Sequence, residues 1–161
     1  MAKLAVVPKR QHEATPDISF RSYDRIEPGE YPGYCKSAAI YLDTHWRRWV
    51  CATQWDIVDD GSVNVIAHIT KFFNLGPGKN PRATSRRSNY WRAWIDANSG
   101  QQPVRGQKMS PAIFVRRFAR VEVADVEKDF NGMALSDDEV YSTIRKIICW
   151  ETGDRAGINN Q

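Results

Sequence analysis

At 161 residues, 42% hydrophobic and 26% charged, the chain has the composition of one globular domain with a genuine core, and wholesale disorder is excluded. The net charge is a mild +4, the apolar runs at 63–69 and 147–150 fall far short of a bilayer span, and the short apolar stretch ahead of Pro8 is too brief for a secretory core. Cys35, Cys51 and Cys149 are odd in number and widely spaced, which suggests neither a disulfide framework nor a zinc site. A cytoplasmic protein without a membrane partner is the expectation.

Residues 1–28 contain Pro8, Pro16 and Pro28 without sustained periodicity and read as an N-terminal arm, with a short strand at 18–23. A barrel domain is expected over 29–151 and a polar C-terminal tail over 152–161. The first strand signal of that domain covers 31–42. The second covers 46–58, where Trp49, Cys51, Trp55 and Ile57 share one face and Arg48, Gln54 and Asp56 the other. Asp59-Asp60-Gly61 marks a tight turn into a third strand over 63–73, with Val63, Val65, Ala67 and Ile69 facing in and His68 facing out. Glycines, prolines and four basic residues make 75–87 a long loop. Ser88 then caps a helix to Ala97, and Asn98-Ser99-Gly100 stops it. A polar loop leads to a fourth strand over 113–126, and an acidic loop at 127–139 to a fifth over 140–150.

The order strand, strand, strand, helix, strand, strand, with its one helix between the third and fourth strands, resembles the OB-fold. More narrowly it resembles the small OB-fold single-stranded DNA-binding proteins of phages and other mobile elements. The resemblance covers 31–150 and rests on the order and spacing of elements, not on a signature motif. It implies a mainly β fold, a five-stranded Greek-key barrel, with oligonucleotide laid across the second and third strands and their flanking loops. One departure concerns the C-terminus: bacterial single-strand binders often end in an acidic, apolar-tipped tail, whereas 153–161 is nearly neutral. That speaks against partner recruitment through this end.

Charge is unevenly distributed along the chain. Residues 61–121 hold eleven basic side chains against the single acid Asp96, a net of +10, which leaves −6 for the remainder. Such segregation points to a polyanionic partner. Three groups of candidate contacts follow. Phe114, Arg116, Phe118 and Arg120 recur at period two, which on a strand puts rings for base stacking beside guanidinium groups for phosphates. Lys79, Arg82, Arg86 and Arg87 crowd the long loop as a phosphate clamp. Arg48, His68 and Phe72 lie on the outward phase of the second and third strands. Trp49, Trp55, Tyr90, Trp91 and Trp94 read as core.

Enzymatic signatures are missing. Gly76-Pro77-Gly78-Lys79 lacks the spacing of a phosphate loop, His12, His45 and His68 are far apart, and Ser136–Glu139 reads as a turn or cap. A metal-dependent nuclease would have to gather distant carboxylates such as Asp56, Asp59 and Asp125. The sequence therefore predicts a non-enzymatic binder of single-stranded nucleic acid, DNA before RNA, with no cofactor or metal. The alternative is a protein-interaction module that inhibits a host nuclease or a defence complex.

Overall fold

Period-two burial is clearest on the strand Arg48–Val58 (β2), where Cys51, Thr53, Trp55 and Ile57 are buried and the intervening Gln54 is exposed. The computed structural model describes residues 23–77 and 84–151. Within them β2 belongs to a single antiparallel sheet of five strands, with β1 at Gly29–Asp43, β3 at Val65–Pro77, β4 at Arg117–Val126 and β5 at Tyr141–Trp150. The spatial order is β3-β2-β1-β4-β5, and one helix, α1 at Asn89–Ala97, lies in the chain between β3 and β4. Strand β1 is central. It pairs with β4 through Gly29–Cys35 and with β2 through Gly33–Asp43, so Gly33, Tyr34 and Cys35 are laddered on both sides. A bulge between Cys35 and Ser37 accompanies the change of partner.

Among the described residues no ladder joins the edge strands β3 and β5, so the sheet is open along that line instead of a closed barrel. Two polar bridges cross the seam. Lys71 sits in the inward row of β3 with Ala67, Ile69, Phe73 and Leu75, and its Nζ donates to the carbonyls of Ile144 (2.8 Å) and Arg145 (3.3 Å) on β5. At the other end Asp24 accepts from the His68 amide at 2.7 Å while its own carbonyl accepts from the Ser142 amide at 3.1 Å. Ser142 Oγ accepts from the Ile26 amide and donates to the Ile26 carbonyl. The end of the expected N-terminal arm is thus docked onto the sheet. Residues 1–22, with most of the strand expected at 18–23, and the tail at 152–161 lie outside the described residues.

Helix α1 starts where the sequence places it: Ser88 Oγ accepts from the Trp91 amide, and Gly100, at φ +78°, donates its amide to the Ile95 carbonyl beyond the last turn. Tyr90, Ala93, Trp94 and Ala97 form its buried face. Arg117 donates to the Ala97 carbonyl at 2.6 Å, placing a cation at the negative end of the helix dipole. Most strand ends lie within two residues of expectation, although β3 starts at Val65 and leaves Val63, expected to face in, 91% exposed, and two boundaries differ more. Strand β3 runs on to Pro77, into the expected loop, because Phe73 and Leu75 continue its apolar alternation. Strand β4 begins only at Arg117, because Pro111 opens a 3-10 turn, Pro111–Phe114, whose Ser110 cap accepts from the Ala112 amide. The core joins Trp55, Phe73, Tyr90, Phe114 and Trp150 under the helix. No helix among the described residues is long and apolar enough to cross a membrane.

Candidate nucleic-acid interface

The ladder fixes which side chains share the outward face. Ala52 pairs with Phe72, Gln54 with Thr70 and Asp56 with His68 between β2 and β3, while Ala39 and Ser37 of β1 sit opposite Ala52 and Gln54. Phe72 is 60% exposed, an unusual position for a ring on a strand whose inward row already supplies Phe73. Arg48 follows on the same phase of β2. Its guanidinium lies 5.9 Å from the ring centroid of Trp46, and its Nε is buried without a hydrogen-bond partner among the described residues.

Trp46 belongs to the β1–β2 turn, which Asp43 organises by accepting from the amides of His45 and Trp46. Its ring, on a residue 49% exposed, meets Phe130 edge-on at 5.5 Å and His45 at 4.7 Å. Phe130 is the tip of a tight turn in the β4–β5 loop, where Asp129 Oδ1 accepts from the amides of Asn131 and Met133. It is 77% exposed. Two loops from distant parts of the chain therefore bring their rings together beside Arg48.

The middle of this face is polar. Asp56 receives His68 Nδ1 at 2.6 Å and Lys36 Nζ at 3.4 Å, so one carboxylate engages both side chains, and a small cleft of about 210 Å³ opens between them and Thr70. Among the described residues no group of three or more His, Cys, Asp or Glu side chains is placed to hold a metal ion.

The expected row Phe114, Arg116, Phe118, Arg120 does not form one surface. Phe114 is completely buried, stacked between Phe73 (6.0 Å) and Trp150 (5.5 Å), with Tyr90 edge-on. The 3-10 turn breaks the period-two phase, and Arg116 at φ +60° resets it while its amide donates to the Cys35 carbonyl. Phe118 is half-buried and packs on Tyr34 at 4.9 Å, its ladder partner. Arg120 forks onto both carboxylate oxygens of Asp60 at 2.8 Å, which holds the Asp60 carboxyl below the usual carboxylate range and raises the guanidinium further.

The basic surplus of 61–121 is likewise divided. Lys71, Arg117 and Arg120 hold the fold together, whereas Arg86, Arg87, Arg92, Arg105, Lys108 and Arg116 are exposed, Arg86 lying over the Trp91 ring at 5.7 Å. Lys79 and Arg82 lie outside the described residues. Sequence reasoning missed Trp46 and Phe130. The available signal was a large ring in each of two polar turns, Asp43-Thr44-His45-Trp46 and Asp129-Phe130-Asn131-Gly132, where no strand offers burial. No family model, curated protein or solved structure matches the chain.

Proposed function

We propose that the chain binds single-stranded DNA on the outward face of β1, β2 and β3. The observation that carries this reading is the set of exposed rings: Phe72 on the strand face, with Trp46 and Phe130 converging from two loops beside Arg48. Rings of this kind stack on any base, and base–aromatic stacking is worth about 1–3 kcal/mol per base. Asp56 is paired with Lys36, which tempers its repulsion toward phosphates, and the exposed Arg86 and Arg87 supply a positive field. The strand order, the central β1 and the helix between β3 and β4 support an OB-like reading of the sheet, with polar bridges across the β3–β5 seam in place of a ladder.

Fluorescence anisotropy with labelled poly-dT, duplex DNA and RNA tests the proposal. Tightest binding to poly-dT, weakening steeply with salt as counterions are released, is the expected result. No binding of poly-dT at low salt would remove this reading. A second reading, docking on a protein such as a nuclease or defence complex, is favoured by Val63 (91% exposed), Val65 (47%) and Ile66 (41%), which leave an apolar patch at the start of edge strand β3.

A further inference from the structure

The open seam leaves a cleft of about 470 Å³ between β3, β5 and α1. It lies on the opposite side of β3 from Phe72, because its floor is made by Lys71 and Phe73 of the inward row together with Ala93 of the helix. The volume is that of a small-molecule site. Four cations line it: Lys71, Arg92, Arg145 and Lys146. Two carboxylates, Glu122 and Asp96, share it, and Glu122 is accounted for by Arg145 at 3.7 Å.

We propose that this cleft binds a phosphate monoester, carried by a free nucleotide or by the end of a strand. An ammonium has three N–H donors, and Lys71 commits two of them to the carbonyls of Ile144 and Arg145; the third has the Phe73 ring, 5.2 Å from Nζ to its centroid, as the competitor of a ligand oxygen. Burial holds this lysine below the usual range, a cost that an anion alongside offsets. The two-charge surplus of cations over carboxylates matches a monoester, which carries about −1.5 to −2 at neutral pH, better than the single charge of a backbone diester. Phe73 is only 2% exposed and offers no ring face to a base, so the phosphate is the group recognised. Arg92 and Lys146, both exposed, close on it from the helix and from β5. The site does not depend on the outward face.

Isothermal titration of the full chain with thymidine 5′-monophosphate, inorganic phosphate and thymidine is the test, with poly-dT anisotropy run in parallel on the same samples. The monophosphate and phosphate bind and thymidine does not. Arg92→Ala and Lys146→Ala, two surface changes that leave melting temperature and poly-dT binding intact, each weaken the monophosphate about tenfold, as removal of one charge-assisted hydrogen bond requires. Oligo-dT with and without a 5′-phosphate then separates the sources. Preference for the phosphorylated oligomer assigns a strand end, and equal binding of the two assigns the free nucleotide. Absence of binding by the monophosphate and phosphate, equal binding of thymidine, or unchanged affinity in both variants overturns the proposal, whatever the poly-dT result.

Discussion

Gly33 faces Trp55 so closely that a Cβ on it would stand 3.1 Å from the indole Cε3, with Val121 Cγ2 at 3.3 Å on the other side. Trp55 and Val121 are both essentially inaccessible, so neither has room to withdraw. Gly33→Ala is therefore expected to destabilise the fold by about 1–3 kcal/mol through overpacking. Urea denaturation measures it, and an unchanged midpoint would show that the sheet crossing is softer than its packing implies.

Phe72 and Phe114 separate binding from folding. Phe114→Ala removes the middle ring of a buried stack and should cost about 3–5 kcal/mol of stability. Phe72→Ala removes an exposed ring, so its melting temperature should stay near that of the parent while poly-dT affinity falls by about 1–3 kcal/mol. The reverse pattern would place the binding surface elsewhere.

How much of the fold and of the candidate site was legible in the sequence depended on whether neighbours along the chain stayed neighbours in space. The helix was readable because Ser88 and Gly100 act locally on its two ends. The faces of β2 were readable because alternation from Cys51 to Ile57 is uninterrupted. The phase of Phe114 was not, since Pro111 and the left-handed Arg116 insert a turn into what reads as continuous alternation. Trp46 and Phe130 escaped for a different reason: their meeting depends on the course of two loops, which no spacing encodes.

Loop rings and loop charges should act differently on affinity. Trp46→Ala and Phe130→Ala are each expected to weaken poly-dT binding by about 1–3 kcal/mol with little change in salt dependence. Arg86→Ala or Arg87→Ala should instead flatten the slope of log affinity against log salt by about 0.7 for each phosphate no longer neutralised. Arg120→Ala should leave the slope unchanged, because that guanidinium is committed to Asp60. Anisotropy titrations at several salt concentrations distinguish the three behaviours.

Thiol chemistry provides a check on the core. Burial pushes Cys35 up to about 12, with Cys51 beside it adding to the effect, and burial alone takes Cys51 to about 12, whereas Cys149 is exposed. A thiol reagent should modify Cys149 readily in the native protein and reach Cys35 and Cys51 only after denaturation. The sign of the pH effect follows. Both thiols bind protons more tightly folded than unfolded, so their contribution is intact below the ordinary value of 9.0 and is lost as pH rises from there towards 12. Rapid native labelling of all three cysteines would contradict this packing.

Strand β1 takes one partner from the adjacent hairpin and the other from the far end of the chain, with Gly29 set against Val123. In kinetic terms the β1–β2–β3 meander closes only short loops, while the β1–β4 ladder must first confine the long stretch between them, an entropic cost met before any pairing repays it. The meander is then the early unit and its free β1 edge the template on which the second half of the sheet assembles. Pulse-labelled hydrogen exchange during refolding should protect the β2 amides before those of β4 and β5.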